Sequence, residues 1–420
     1  MPAPRSTNPK QPDRLDRLNA LLARVAKSNE FQRRRLPELP LSSLDELARI
    51  PPVSKETLVA DQQAHPPHGT NLSFPLERFT QLHQTSGTRG PVLRVLNTAE
   101  DWAWWRRCMA EVLRAAGIGP GDRVALAYSF GPHLLFWASY EGVEEVGAAR
   151  VGLGGMDSQQ RLHALRDYEA TAVLCTPTYA VHLAQVAAQQ GQLDAFDTVE
   201  RLVCSGEPGA SIPAVRARIE AAWNARCFDH AGLSEVGAAT YPCAEAGGLH
   251  ILEDEFIGEI VDPATAEQVE DGQVGELVLT ALGRTGSPAI RYRTGDIVDR
   301  RDQPCPAGHA GRWLPRGILA RSDDMVVIRG MNVFPSAIEQ TMREAAEIGE
   351  FRITFYTESS AMDEVKIEVE LERAEDVRAI QSRLRQQLGL RVRIVPLKPG
   401  ILPSSTDKAR RVVDMRSLAR

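Results

Sequence analysis

The 420-residue sequence contains few cysteines, few aromatic residues and no long apolar run. Its six cysteines are sparse and irregularly spaced, which favours a cytosolic, reduced protein in which metal ligation is expected more than disulfides. No apolar run reaches the roughly 18 residues that a transmembrane helix needs, so no membrane association is expected. The polar N-terminus also lacks the apolar segment of a secretory signal.

An excess of positive charge is absent as well. Lys and Arg number 49 against 55 Asp and Glu, giving a net charge of −6. No broad basic field exists to hold a nucleic-acid backbone, so nucleic-acid binding is disfavoured. With 43% hydrophobic and 25% charged residues, the composition is that of a globular protein, and the length suggests about two to three domains.

The order of patterns along the chain predicts an α/β fold. Between about residues 100 and 320, buried-strand patterns alternate with amphipathic-helix patterns, which favours parallel α/β layers with ligands at the carboxyl ends of the strands. From residue 247 short strands indicate a β-rich subdomain. The last hundred residues follow a β-α-β-β-α-β pattern, so we expect a large multilayer N-terminal α/β domain and a small α+β C-terminal domain.

The segment QTSGTRGP, residues 84–91, is the strongest local signal. Its glycines allow backbone N–H groups to converge on an anion, and its hydroxyls add donors. It is either a phosphate cradle or an ordinary polar hairpin turn. Its spacing excludes a Walker A loop.

Three further segments carry charged side chains. In FDHAGLSEVG, Glu235 is either a Mg²⁺ ligand or a residue in the first turn of a helix that Ser234 caps. In IRYRTGD, Asp296 either accepts two ribose hydroxyl hydrogens or is a β-turn Asp. In ILPSSTDKARR, Lys408 either reaches a phosphate or belongs to a solvated basic tail.

Taken in order, these and other segments resemble the adenylate-forming enzymes, and more narrowly the phenylacetate–CoA ligase family. The matching segments are IPPVSKETL, QTSGTRGP, CSGEP, HAGLSEV, GELVLTALGRTGSPAIRYRTGD, ARSDDMVVIRGMNVFPSAIE and SSTDKARRVVD. They cover nearly the whole chain. There are two departures from the family pattern. Pro91 follows Gly90 where a Lys is usual, so Arg89 is expected to supply that cation, and the hinge motif opens with Ala320-Arg321 instead of Gly-Arg.

The resemblance implies an adenylation core over residues 1–320 and a mobile C-terminal domain over residues 321–420 that carries the catalytic lysine. The implied enzyme is an AMP-forming ligase that uses Mg²⁺·ATP to convert an aromatic carboxylic acid to an acyl-adenylate and then transfers it to CoA. One alternative acceptor is a carrier-protein phosphopantetheine or an amine, and another alternative is a non-catalytic nucleotide sensor. We expect a cytoplasmic monomer or homodimer.

The resemblance also implies individual roles. Lys408, Glu235 and Thr85 would be catalytic. The nucleotide would be held by Ser86, Gly87, Thr88, Arg89, Gly206, Glu207, Pro208, Asp229, His230, Ser234, Asp296 and Arg321. Among these, residues 85–88 would hold the β- and γ-phosphates, and residues 206–208 would border the adenine.

An aromatic segment, AYSFGPHLLFWASYEG, follows a predicted strand. Relatives use this region to face the organic part of the acid, and an aromatic wall with one polar group suits an aryl acid. The alternative is the buried start of a helix. The substrate-binding candidates are Tyr128, Phe130, His133, Phe136, Trp137 and Gly232.

Two Cys and two His on neighbouring β-rich loops suggest a tetrahedral structural zinc site. The candidate ligands are Cys243, His250, Cys305 and His309. Some relatives hold zinc with a second Cys where this chain has Ala307, so His309 would take that place. The alternative is a relic loop with two free thiols.

Overall fold

A computed structural model describes residues 13–85, 92–207, 209–309, 311–322, 326–328, 331–333, 335–343, 348–357, 363–371, 376–388, 392–402 and 411–415. The N-terminal part begins with α1 (Arg14–Ser28), α2 (Glu30–Arg33) and α3 (Lys55–Ala64), followed by the strands β1 (Phe79–Gln84) and β2 (Arg94–Thr98). Ser54 caps α3 by accepting a hydrogen bond from the Thr57 N–H. The strands β1 and β2 form an antiparallel hairpin that ends at the Gln84–Arg94 pair.

A five-stranded parallel sheet lies at the centre of the N-terminal region. Its helices and strands alternate as α4 (Ala99–Ala115), β3 (Arg123–Leu126), α5 (Leu134–Glu145), β4 (Ala149–Gly152), α6 (Ser158–Asp167), β5 (Ala172–Cys175), α7 (Pro177–Gln190), β6 (Arg201–Cys204), α8 (Pro213–Trp223) and β7 (Arg226–Asp229). The strand order is β4-β3-β5-β6-β7. The predicted alternation of strands and helices is therefore confirmed.

Both faces of this sheet are covered, which explains its continuous apolar strands. Along β3, Val124 and Leu126 belong to the core that also contains α4 and α5 residues. Ala125, between them, belongs to a second core that α6, α7 and α8 cover. The sheet is thus sandwiched between helical layers, and only the strand ends remain for ligands.

The predicted β-rich subdomain follows the parallel sheet. One antiparallel sheet, ordered β10-β11-β12-β14, contains β10 (Phe256–Val261), β11 (Val274–Ala281), β12 (Tyr292–Asp299) and β14 (Ala320–Arg321). A smaller sheet contains β8 (Thr240–Pro242), β9 (Leu249–Ile251) and β13 (Trp313–Leu314). Turns at Asp262-Pro263 and Asp271-Gly272 separate β10 from β11.

The C-terminal region has its own apolar core, which its strands and both of its helices share. Its elements are β15 (Val326–Ile328), β16 (Met331–Val333), α9 (Pro335–Arg343), β17 (Ile348–Thr357), β18 (Asp363–Leu371), α10 (Asp376–Leu388), β19 (Arg393–Leu397) and β20 (Val412–Asp414). The strand order of the sheet is β19-β18-β17-β20, and its two central strands, β18 and β17, are antiparallel. The β-α-β-β-α-β prediction is confirmed from β15 to β19, with β16 and β20 added.

Within the described ranges, no helix combines the length and apolar character needed to cross a membrane.

Candidate active site

The carboxyl ends of the parallel strands bring several predicted site residues to one edge of the sheet. Tyr128 lies just beyond β3, Gly206 just beyond β6 and His230 just beyond β7. The Tyr128 hydroxyl lies 3.1 Å from the Ser205 hydroxyl oxygen, which links the ends of β3 and β6 directly. This edge is the place where open parallel sheets bind ligands.

Thr85 forms the base of the predicted phosphate loop. Its backbone N–H donates to the Leu93 carbonyl at 3.0 Å, and its hydroxyl accepts from the Leu93 N–H at 3.2 Å. These two bonds close the loop between β1 and β2 at its base. The loop itself, with Ser86, Gly87, Thr88 and Arg89, lies outside the described residues, as do Pro208 and Lys408.

Glu207 has a defined structural partner. Its carboxylate accepts from the backbone N–H of Thr178 at 2.8 Å and also from the Thr178 hydroxyl. Thr178 lies in the first turn of α7, so a negative charge at this helix start is favourable. These bonds hold the turn that contains Gly206 and Glu207 against the end of β5.

Asp229 is half-buried, and its carboxylate accepts hydrogen bonds from neighbouring protein groups. The Ser211 hydroxyl donates to one of its carboxylate oxygens, and the His230 N–H donates to the other at 3.0 Å. Burial raises the pKa of Asp229 to about 6, although hydrogen bonds from Ser211 and His230 act in the opposite direction. Asp229 therefore holds the chain that follows β6 in place.

His230 is a buried, neutral side chain. Its Nδ1 lies 2.9 Å from the Thr240 carbonyl oxygen, which makes Nδ1 the protonated nitrogen. Burial lowers the pKa of His230 to about 4, against the opposing effect of this hydrogen bond. Its Nε2 has no hydrogen-bond partner among the residues that the structure describes.

The segment after β7 is a tight turn and not the start of a helix. Leu233 and Gly237 exchange backbone hydrogen bonds across it, so the alternative in which Ser234 caps a helix is wrong. A Cβ atom at Gly232 would lie 2.8 Å from the Gly237 carbonyl oxygen. Only glycine fits here, and this close approach places Glu235 at the tip of the turn.

Glu235 faces a cavity in the N-terminal region. The lining includes Leu93, which bonds to Thr85, together with Arg284 and Tyr292. Arg284 donates to the Glu235 backbone carbonyl, and burial raises the pKa of Tyr292, with the neighbouring Glu235 carboxylate raising it further. The sequence analysis missed Arg284 and Tyr292, although both lie in the segment that carries the family resemblance.

Asp296 and Arg321 are paired on neighbouring strands. They lie directly opposite each other in β12 and β14, and the Arg321 guanidinium donates to the Asp296 carboxylate at 2.9 Å. The same Arg321 nitrogen donates to the Thr294 carbonyl at 2.7 Å. Asp296 lies within a strand, so the β-turn alternative is wrong. A Cβ at Gly295 would lie 2.6 Å from an Arg321 nitrogen, which explains the glycine between them.

The predicted aromatic wall consists of two groups. Tyr128 stacks on Phe136 with ring centroids 4.4 Å apart, and His133 meets Phe136 edge-on at 6.0 Å. Phe130 packs instead against Trp137 at 5.0 Å. Trp137 is 39% exposed, and its indole N–H donates to the Gly131 carbonyl at 2.8 Å. The first group therefore lies at the sheet edge, and the second extends toward solvent.

The candidate zinc ligands are brought together from loops far apart in sequence. One possible ligand atom from each of Cys243, His250 and Cys305 lies within 4.8 Å of the others, and the two sulfurs are 3.6 Å apart. His309 lies beside them, with its ring centroid 5.4 Å from that of His250 and its Nε2 3.0 Å from a Glu245 oxygen. Two thiols and two imidazoles are the donor set that zinc prefers.

Beyond the segment that contains Lys408, the chain is fixed by Arg411. Its guanidinium donates to both carboxylate oxygens of Glu350 at 2.9 and 3.0 Å. Its carbonyl accepts from the Ile353 N–H at 2.7 Å and thereby joins the last strand to β17.

Comparison with known proteins finds one matching family model and several relatives that agree with it. The family model described as the AMP-binding enzyme C-terminal domain matches residues 330–416. The chain is 30% identical over 391 residues to a phenylacetate-coenzyme A ligase of Pseudomonas putida, covering 90% of this chain and 86% of that protein. It is also 30% identical over 433 residues to a phenylacetate-coenzyme A ligase of Thermus thermophilus, covering 96% and 95%.

A solved structure of 2-hydroxyisobutyryl-CoA ligase with 2-HIB-AMP, in the postadenylation state, superposes with a TM-score of 0.88 at 29% identity, over 100% of this chain and 94% of that one. The same ligase in the thioesterification state, with 2-HIB-AMP and CoA, gives 0.72 at 31% identity, over 99% and 92%. The present structure is therefore more similar to the postadenylation form than to the thioesterification form.

Proposed function

Since this chain belongs to the phenylacetate–CoA ligase family, we propose that it activates an aromatic carboxylic acid with Mg²⁺·ATP and transfers the acyl group to CoA. An AMP-forming acid–CoA ligase activity follows from the family. The aromatic class of the acid, the metal ions, the domain movement and the roles of individual residues are our proposal.

The single observation that carries the proposal is the cavity that Glu235 lines together with Leu93, Arg284 and Tyr292. Leu93 closes the base of the loop that begins at Thr85, and Tyr292 begins the strand that continues to Asp296. The residues around this cavity thus connect the three proposed groups: the phosphate loop that begins at Thr85, the metal-binding carboxylate of Glu235 and the ribose-binding carboxylate of Asp296. An ATP-dependent acyl activation needs these three elements together.

The first half-reaction is attack of a carboxylate oxygen on the α-phosphorus, with pyrophosphate leaving. Both reactants are anions, so catalysis consists mainly of positioning and charge neutralisation. Residues 85–89 would hold the β- and γ-phosphates, Asp296 with Arg321 would hold the ribose, and Lys408 would bridge the acid and the α-phosphate. The turn at Gly206 and Glu207 would border the adenine, with Pro208 beside it.

Glu235 fits a magnesium ion. Mg²⁺ prefers hard oxygen ligands and commonly binds through one or two carboxylates together with substrate phosphates and water. Glu235 lines a cavity together with Tyr292, whose pKa burial and the neighbouring Glu235 carboxylate raise. When bound, the ion would neutralise phosphate charge.

The second half-reaction is thiol attack on the acyl-adenylate, which releases AMP. One lysine cannot serve both steps, so residues 321–420 would move as a unit to present another surface to the site. The solved 2-hydroxyisobutyryl-CoA ligase is described in a postadenylation state and in a thioesterification state, which supports the proposal of such a movement in this chain.

The aromatic class of the acid rests on the group formed by Tyr128, His133 and Phe136 at the edge of the sheet. Stacked rings orient a planar acid well. The similarity to 2-hydroxyisobutyryl-CoA ligase favours a second candidate, a small hydroxy acid.

A structural zinc ion held by Cys243, His250, Cys305 and His309 is part of the proposal. The three buried donors are near enough to share one ion, and His309 would complete a tetrahedron by exchanging its Glu245 contact for the metal. The role would be structural, because the donors join the small β8–β9–β13 sheet to the loop at residue 305.

The experiment is ATP–pyrophosphate exchange with benzoate, hydroxybenzoate, aminobenzoate, phenylacetate and 2-hydroxyisobutyrate. We expect exchange with at least one aromatic acid and, once CoA is added, AMP and the corresponding thioester. Exchange with 2-hydroxyisobutyrate alone would contradict the aromatic class. Adenylate that forms but is transferred only to a carrier protein or an amine would contradict CoA as the acceptor.

A further inference from the structure

Arg284 is a buried cation that contacts the candidate magnesium ligand. Its side chain is 2% exposed, and one guanidinium nitrogen donates to the backbone carbonyl of Glu235, 49 residues away in sequence. Burial lowers the pKa of Arg284, and the nearby charges of Asp101 and Glu235 act in the opposite direction. A guanidinium remains charged in proteins, so this cation is available at neutral pH.

The chain around Arg284 is itself fixed by a helix start. Asp101 completes a capping box at the beginning of α4 with Thr98. Its carboxylate also accepts from the backbone N–H groups of Thr285 at 2.8 Å and Gly286 at 3.1 Å. The loop that carries Arg284 is therefore held by the start of α4. The hydrogen bond from Arg284 to the Glu235 carbonyl links the turn at Glu235 to this fixed helix end.

Tyr292 approaches the same carboxylate from a second element. It is 2% exposed at the start of β12 and lines the same cavity as Glu235, and burial together with the nearby Glu235 carboxylate raises the pKa of its hydroxyl. Its strand is fixed next to Val53, whose N–H donates to the neighbouring Arg291 carbonyl at 2.9 Å. The bond from Arg284 thus fixes the backbone of Glu235, and Tyr292 lies beside its side chain in the cavity wall.

We propose that Arg284 and Tyr292 are positioning residues that hold the Glu235 carboxylate toward the cavity so that it binds Mg²⁺ together with the phosphates of ATP. This inference rests on the proposed function. Arg284 keeps the backbone carbonyl of the turn in place, and Tyr292 limits rotation of the side chain. Neither residue needs to touch the nucleotide.

The test compares Tyr292→Phe, Arg284→Met and Arg284→Lys in the full chain. Two quantities are measured: the Mg²⁺ concentration that gives half-maximal pyrophosphate exchange, and binding of Mn²⁺ in the presence of ATP, followed by the electron paramagnetic resonance signal of free Mn²⁺. Losing a hydrogen bond to a charged group weakens binding by about tenfold or more. We expect both quantities to shift by about tenfold in Tyr292→Phe and Arg284→Met, with partial recovery in Arg284→Lys.

The matched control is Arg291→Lys. Arg291 is also 2% exposed, and it donates to the backbone carbonyls of Ala48 and Ile50 and to Glu259, away from Glu235. We expect its Mg²⁺ and Mn²⁺ dependence to match the wild type. The proposal is overturned if folded Tyr292→Phe binds Mn²⁺·ATP like the wild type, or if Arg291→Lys weakens metal binding equally. A wild type without exchange activity would contradict the proposed function, whereas the Mn²⁺ measurement would still decide the positioning role.

Discussion

Replacing Asp229 with asparagine should remove one contribution to the pH dependence of stability. The carboxylate accepts from the Ser211 hydroxyl on one side and from the His230 N–H on the other. An asparagine of the same shape retains both contacts, because its carbonyl accepts from the backbone and its amide donates to the Ser211 oxygen. The substitution therefore removes an ionisable group and little else.

The magnitude follows from the shifted pKa. Burial raises the pKa of Asp229 from 3.8 to about 6, so the folded protein holds this proton more tightly than the unfolded chain does. The stability that the bound proton contributes is fully present below pH 3.8 and is lost as the pH rises through 6. The limit is about 3 kcal/mol, and roughly 1–2 kcal/mol of it falls between pH 5 and pH 8.

The assay is urea unfolding of the wild type and Asp229→Asn between pH 5 and pH 8. We expect the variant to gain about 1–2 kcal/mol relative to the wild type over this range. The titration of His230 has the opposite sign, because its lowered pKa of about 4 makes protonation favour unfolding as the pH falls. The His230 contribution is present in both proteins, so it largely cancels in the difference between their free energies of unfolding.

Asp167→Asn, at an exposed aspartate on α6, is the control and should show no such trend. A stability difference that stays constant with pH would refute the reasoning about Asp229. The KM for ATP should change little in Asp229→Asn, because the carboxylate is directed at protein groups, and a large increase would indicate direct contact with the nucleotide.

Three further predictions concern other parts of the site. Asp296→Asn should raise the KM for ATP by about 10–100-fold and abolish any preference for ATP over 2′-deoxy-ATP, and an unchanged preference would contradict a role in ribose binding. Cys305→Ser should lose a zinc ion that metal analysis finds in the wild type at about one per chain, and a wild type purified without added zinc that contains none would contradict the zinc site. Gly232→Ala should cost about 1–3 kcal/mol in unfolding and slow pyrophosphate exchange, because its Cβ would lie 2.8 Å from the Gly237 carbonyl oxygen, and an unchanged unfolding free energy would refute that packing argument.

The type and order of the elements were predictable because each depends on nearby residues. Helix α4 follows from apolar side chains at helical spacing, with Thr98 and Asp101 at its start. The parallel strands follow from short, continuously apolar runs between helices. The order of the motifs was also sufficient to identify the family.

Two of the structural alternatives left open by the sequence are excluded for a tertiary reason. Serine is a common N-cap residue, yet the chain at Ser234 turns back on itself because Gly232 packs directly against Gly237. Asp296 follows a Gly, as turn residues often do, yet β14 pairs with it and keeps it in a strand. Nearby residues do not reveal either partner.

The sequence by itself determined which side chains are available for the proposed chemistry: the carboxylates of Glu235 and Asp296, the Lys408 ammonium, and the thiols and imidazoles of the candidate zinc site. Among the described residues, only the tertiary structure decided how these groups are held. The bond from Arg284 to Glu235 spans 49 residues, and the contact between Cys243 and Cys305 spans 62. Such pairings depend on how strands and loops pack in space, and a periodic pattern of neighbouring residues carries no information about them.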